Sequence, residues 1–301
     1  MNATAADVRA SRTASPLPGE PITLELRDEL EALLSPLRDG LSEYSFTKLF
    51  LWREQHGYRL QRGELPCIAG FTFDGEQHLL PLFDVAAVDA GQLRARLADY
   101  DCYFPVSERR AAGIDRNLFA SAASADDADY VYAVTSFLKL PDGELAEKRG
   151  EFRELLRHGQ PVAAPFGRST VAAAQAVVDA SAGEGNGRSA LTDGPNREAI
   201  ERAAELGLQG HVYFLEDEPI GFVLGEIVAE QMMVVHVAKA HPGLPGVQPM
   251  MFHHTAMAVS DRVRWFNFEQ DLGFEDFRID KQAYLPASLL QKHRLRPSDR
   301  G

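Results

Sequence analysis

The chain has only two cysteines, Cys67 and Cys102, among 301 residues, and neither stands in a CxxC or Cys/His spacing. That excludes a disulfide scaffold and argues against zinc, which is held by closely spaced thiolates and imidazoles. Long apolar runs are also lacking, since no stretch approaches the roughly eighteen consecutive apolar residues that crossing a bilayer requires. The first residues are polar and rich in Pro, Ala and Ser, without the apolar centre of a secretory signal. Positive charge is in deficit, with 31 Lys and Arg against 44 Asp and Glu and a formal net charge of -13. A protein that coats nucleic acid by bulk charge is thereby excluded, and any RNA contact needs a local basic patch. These absences predict a soluble, cytoplasmic protein with no metal, no DNA partner and no membrane insertion, whose residues 1–20 are disordered.

What is present suffices for two domains of ordinary size: 45% of residues are hydrophobic and 25% charged. TLELRDELEALLSPL reads as a helix ending at Pro36, and SEYSFTKLFLWREQ as a second with Ser42 as N-cap. CIAGFTFDGEQHLLPLFD reads as a hairpin around the tight-turn pair Asp74-Gly75. AGQLRARLADY is a helix, DADYVYAVTSFLKL a strand before a break at LPDG, and GELAEKRGEFRELLRHG a charged bridging helix. Residues 181–196 have the Gly/Ser/Asn density of an exposed loop. An amphipathic helix, three strands, the loop HPGLPGVQ, a helix and the strand VRWFNFE follow. The expected division is an N-terminal lobe over 21–150 and a C-terminal lobe over 151–301.

The densest polar stretch runs through 263–286. Asn267, Glu269 and Asp271 follow the strand-like VRWF at period two, so a continuing strand would point an amide and two carboxylates to one face. Leu272-Gly273 supplies a turn, and Arg278 and Lys281 follow. Acids on one side and cations a few residues later suit a pocket for an amine and an anion together; a strand edge whose charges pair locally is the plainer alternative. The C-terminal run carries Arg278, Lys281, Lys292, Arg294, Arg296 and Arg300 against Asp280 and Asp299, a solvated end or a binding arm.

Five segments together resemble the C-terminal domain of the phosphatidylglycerol lysyltransferases and their soluble relatives: LSEYSFTKLFLWR, FTFDGEQHLLPLFD, DADYVYAVTSFLKLPDGELAEKR, VVHVAKA and NFEQDLGFEDFRIDKQAYLP. The resemblance implies an α/β fold of two tandem GNAT-like (acyl-CoA N-acyltransferase) lobes with mixed sheets, the second carrying the site. The last segment matches the family pattern at Asn267, Glu269, Asp271, Leu272, Gly273, Arg278, Lys281, Tyr284 and Pro286. Phe268 stands where arginine is common, and Ala238 where glutamate is common beside His236 and Lys239.

The activity so implied is transfer of an aminoacyl group from aminoacyl-tRNA, here to a small soluble amine, hydroxylamine or hydroxyl, with no cofactor. Asn267, Glu269 and Asp271 are the implied catalytic residues; Glu269 and Asp271 each suit either accepting the proton or binding the donor's ammonium, Glu269 being preferred for the proton and Asp271 for the ammonium. Arg278, Lys281, His236, Lys239 and Tyr284 are the implied substrate-binding residues. A core role for His236 stands beside that reading, as does pairing of Arg278 and Lys281 with Glu275 and Asp280. Acyl-CoA-dependent N-acyl transfer is the alternative, weakened because Pro242, Pro245 and Pro249 remove amide donors from the loop that would cradle a pyrophosphate. A non-catalytic ligand-binding or partner-binding protein is the third reading.

Overall fold

The computed structural model describes residues 16–139, 145–181, 188–229 and 231–298. The chain divides into two compact units, the first comprising residues up to 129 with 270–274 and from 290 onward, the second 130–269 with 275–289. The change of unit thus lies at 129/130, whereas a division at 150/151 would cut the helix Ala146–His158. Of residues 1–20, expected to be disordered, 1–15 lie outside the described residues, and Glu20–Pro21 is a strand paired with Arg59–Gln61.

The first unit is built on seven strands in the order Glu20–Pro21, Arg59–Gln61, Cys67–Phe71, Gln77–Pro81, Cys102–Ser107, Lys292–Pro297, Phe119–Ala123. Gln77–Pro81 and Cys102–Ser107 are parallel, joined by a crossover holding the helix Ala90–Arg96; the other printed pairings are antiparallel. The Asp74-Gly75 hairpin forms as expected, with Gly75 at φ +93. Helix Phe46–His56 also forms, but Ser45 caps it by accepting the Lys48 amide at 3.2 Å. Ser42 is instead taken by Asp129, whose carboxylate accepts from its amide at 2.7 Å and its hydroxyl at 3.0 Å.

Of the C-terminal basic run, Lys292–Pro297 forms a strand between Cys102–Ser107 and Phe119–Ala123, where Lys292, Arg294 and Arg296 are held in ion pairs; Asp299 and Arg300 lie outside the described residues. Lys292 lies between Glu43 and Asp129, each at 2.6 Å. Arg294 reaches Asp74, Glu76 and Asp127, and Arg296 reaches Glu76. Cys67 and Cys102 are buried and free, and burial pushes both thiols up to about 12, so neither is a thiolate nucleophile at neutral pH.

The second unit repeats the plan. Its order is Ser288–Leu290, Asp129–Ala133, Trp265–Asn267, Met232–Ala240, Glu218–Ala229, Gln209–Leu215, Val162–Pro165. A three-stranded antiparallel meander leads through helix Val247–Val259 to a parallel strand, Trp265–Asn267. Tyr132, Phe137, Met233, Met251 and Phe266 are fully or almost fully buried in its core. The expected loop over 181–196 is helical from Arg188, in the helix Arg188–Glu201, which buries Pro195, Ala199 and Ile200; residues 182–187 lie outside the described residues. Burial of that face overrides the poor helix propensity of Gly194 and Pro195. Among the described residues no helix is long and apolar enough to cross a membrane.

Candidate active site

The strands Met232–Ala240 and Trp265–Asn267 run side by side for three pairs only, ending at Val234↔Asn267. On its other edge, Met232–Ala240 is bulged: Leu224 faces Val237 and Gly225 faces Val235, so His236 has no opposite number. A bulge turns one side chain out of the regular alternation. Gly225 permits the close approach there, because a Cβ at that position would lie 2.4 Å from the Val234 carbonyl oxygen.

His236 is thus aimed between two carboxylates. Its Nε2 lies 2.9 Å from Glu226 Oε1 and its Nδ1 2.8 Å from Glu269 Oε1, and its side chain is only 1% exposed. Burial pulls the imidazole pKa down, but hydrogen bonds and charge from Glu226 and Glu269 outweigh it and bring His236 up to about 9. At neutral pH both ring nitrogens therefore carry protons and donate. An imidazolium flanked by two carboxyl groups forms a nearly buried cluster.

Glu269 reaches this position through its backbone. The strand ends at Asn267, whose side-chain oxygen accepts the Glu269 amide at 2.7 Å, and Glu269 adopts φ +59. A non-glycine residue in the left-handed region is held there by its surroundings. Lys281 supplies that restraint, its ammonium donating to the carbonyls of Phe268 and, at 3.3 Å, Glu269. The Phe268 amide donates to the Tyr130 carbonyl at 2.9 Å, and the Tyr130 amide to the Glu269 carbonyl at 3.1 Å. The Tyr132 hydroxyl completes the brace by donating to the Lys281 carbonyl at 2.7 Å.

This geometry corrects the period-two reading, because the strand does not continue beyond Asn267 and the shared strand face does not exist. Glu269 belongs to the second unit and Asp271 to the first. Asp271 is fully buried, and its Oδ1 accepts the Gly273 amide at 2.9 Å, closing a turn in which Leu272 and Gly273 also have positive φ. Lys281 is committed to the backbone of 268–269. Tyr284 is 2% exposed among Phe137 and Phe252, its hydroxyl donating to Gln248 Oε1 at 2.9 Å. Arg278 is half-buried on helix Glu275–Gln282, and Lys239 Nζ lies 3.9 Å from Asp193 Oδ1. Phe268 packs against Tyr132, Phe252 and Phe266 in an aromatic cluster.

Glu226 was not singled out from the sequence. Its signal was a lone acid inside the apolar run GFVLGEIVA, on the strand adjoining that of His236.

The loop 241–249 lacks the donors of an anion cradle. Three of its nine residues are proline, and the amides of His241, Gly243, Leu244 and Val247 donate within the protein, leaving those of Gly246 and Gln248. Gly246 serves packing: at φ +88, a Cβ there would lie 2.2 Å from the Glu151 carbonyl oxygen.

Residues 35–295 match the family described as phosphatidylglycerol lysyltransferase, C-terminal. No curated protein matches the chain. Among solved structures, a conserved protein of unknown function from Bacteroides thetaiotaomicron VPI-5482 is 20% identical with a TM-score of 0.77, covering 94% of this chain and 100% of its own. L-PGS from Bacillus licheniformis is 15% identical with a TM-score of 0.62, covering 95% of each chain. FemX is 9% identical with a TM-score of 0.60, covering 91% of this chain and 96% of its own. These likenesses show the fold, two GNAT-like α/β units in tandem, each on a mixed sheet.

Proposed function

Because the chain belongs to the phosphatidylglycerol lysyltransferase C-terminal family, we propose that it is an aminoacyltransferase moving an aminoacyl group from aminoacyl-tRNA to a small soluble amine, hydroxylamine or hydroxyl. The observation that carries this reading is the Glu226–His236–Glu269 group, set where two parallel strands part. An aminoacyl ester is already activated, so the protein has to orient donor and nucleophile and manage one proton. His236, protonated at neutral pH, donates to both carboxyl groups and leaves Glu269 an oxygen to accept a further proton. Glu269 takes that proton as the nucleophile adds to the ester carbonyl. The carbon–oxygen bond to the tRNA ribose then breaks, and the proton passes to the departing ribose hydroxyl. His236 and Glu226 position Glu269.

Phe268 supports an acceptor without a phosphate headgroup, since the guanidinium that would pair with one is replaced by a ring in an aromatic cluster. The amide-poor loop supports tRNA over CoA as the donor. Calorimetry is expected to show tighter binding of a non-hydrolysable aminoacyl-tRNA analogue than of acetyl-CoA; tight stoichiometric CoA binding with no tRNA binding would reverse the donor. Asp271, fully buried and accepting the Gly273 amide, acts as a turn former, so Asp271→Asn, which keeps an oxygen for that amide, is expected to leave donor KM nearly unchanged. A donor KM raised with kcat unchanged would return Asp271 to donor binding.

A further inference from the structure

We propose that Gln270 is a positioning residue for Glu269: anchored on the buried Lys292 ammonium, it fixes the backbone bend that aims the Glu269 carboxylate at His236. Its effect on turnover rests on the transfer reading, whereas its effect on the bend can be measured without activity. The bend needs an anchor, because antiparallel pairing of Trp265–Asn267 with Asp129–Ala133 ends at Asn267↔Val131. Beyond that pair Tyr130 accepts from the Phe268 amide at 2.9 Å and donates its own amide to the Glu269 carbonyl at 3.1 Å, so two successive residues stand against one. That is the count of a β-bulge, which bends its strand and re-aims a side chain. Glu269, at φ +59, takes a conformation that a non-glycine residue keeps only where its neighbours hold it.

Lys281 grips the carbonyls of Phe268 and Glu269, and the chain leaving Glu269 is gripped one residue later. There Gln270 Oε1 accepts from Lys292 Nζ at 3.1 Å. The ammonium also reaches Glu43 and Asp129, each at 2.6 Å, so its three donors meet three acceptors. Lys292 is 0% exposed and Gln270 8%, so release of the Gln270 oxygen would leave a buried charged N–H without a partner, at the full cost of its desolvation. A glutamine in water would hold nothing; this one is pinned. Asp129 is fixed in turn by the amide and hydroxyl of Ser42, and Glu43, Asp129, Gln270 and Lys292 all belong to the first unit. Asp129 and Gln270 are the direct chain neighbours of Tyr130 and Glu269. Lys292 thus bridges, through side chains, the two residues that flank the Tyr130–Glu269 hydrogen bond, and the peptide bond from Gln270 carries that restraint to Glu269.

The test titrates His236 by NMR of the histidine-labelled full chain, its signal assigned against His236→Gln, and measures kcat and donor KM for discharge of aminoacyl-tRNA by the same proteins. Wild-type His236 should titrate at about 9, held there by Glu226 and Glu269. Gln270→Met keeps the length of the side chain without its oxygen, and the milder Gln270→Asn draws the oxygen back by one methylene. In both, Glu269 is expected to leave Nδ1, so that His236 titrates at least about one pH unit lower. Turnover should fall about 10- to 100-fold with donor KM unchanged, the usual cost of a misplaced reacting group. Gln270→Glu, which restores an oxygen for Lys292 Nζ, should return both readouts toward wild type. A wild-type titration and kcat in Gln270→Met and Gln270→Asn would overturn the inference and leave Gln270 as a partner of Lys292 alone, even if their urea midpoints fell. A lowered kcat with His236 still at its wild-type value would overturn the route through Glu269. A lowered His236 titration in variants of a wild type that discharges no aminoacyl-tRNA would keep the positioning role and remove the transfer reading.

Discussion

Glu269→Gln is expected to lower turnover on the order of 10²- to 10⁴-fold, the usual loss when a general base is removed, while leaving donor binding nearly intact. The amide keeps the size of the side chain and can still accept from His236 Nδ1–H, but it cannot take the proton of the nucleophile. His236→Gln tests the same group from the other side. It removes the imidazolium that holds both carboxylates, so kcat should fall and the alkaline limb of the pH–rate profile should change shape. A purely structural histidine would lower both profiles in parallel.

Stability carries a matching signature. His236 has a folded pKa of about 9, above its ordinary 6.5, so its protonated form favours the folded state. The contribution is complete below pH 6.5, shrinks as pH rises, and is lost by passage through 9; the shift corresponds to about 3 kcal/mol at most. Wild type should therefore lose melting temperature over that window, and His236→Gln should lose much less. A wild-type curve flat from neutral pH to 9.5 would show that the imidazolium is not held in this way.

The second large effect concerns the first unit. Lys292→Met is expected to cost about 3–5 kcal/mol, because it strips a fully buried ammonium from between two buried carboxylates. Burial alone would pull the Lys292 pKa down, but Asp129 and Glu43 raise it above the ordinary lysine value. Gln270 Oε1 accepts a further hydrogen bond from Nζ at 3.1 Å, and burial raises the Glu43 carboxyl. Adding Glu43→Gln and Asp129→Asn to Lys292→Met should restore most of the lost stability, since the cost lies in the unpaired charges. Urea midpoints read this directly. A single variant as stable as wild type would mean that the buried charges are compensated by other groups.

Much of the fold was legible where local chemistry decides it. Asp74-Gly75 made its hairpin because a tight turn needs positive φ. The helix over 46–56 followed from its apolar spacing, yet its cap moved from Ser42 to Ser45 because Ser42 is engaged by Asp129, 87 residues away. Contacts of that separation leave no mark on a local pattern. Helix Arg188–Glu201 was hidden for a similar reason, since its burial outweighs a composition that reads as loop.

The candidate site was half legible. Glu269, Asn267 and His236 stood out, but alternation placed Glu269 with Asp271, whereas a left-handed residue after Asn267 directs it to His236. Lys281 read as a substrate-binding residue and is a brace for that bend. The basic tail read as a possible arm, although its charges pair with acids more than 160 positions away in sequence, such as Arg294 with Asp127 at |i−j| of 167.

The most direct test incubates the wild-type protein and Glu269→Gln with a pool of charged total tRNA and small amine and hydroxyl acceptors, following ester loss and acylated products by mass spectrometry. The account predicts that wild type discharges one class of aminoacyl-tRNA, with the lost aminoacyl group recovered on an acceptor, and that Glu269→Gln discharges it at least about 100-fold more slowly. Ester loss no faster with wild type than with Glu269→Gln, or acyl transfer from acyl-CoA in place of aminoacyl-tRNA, would contradict it.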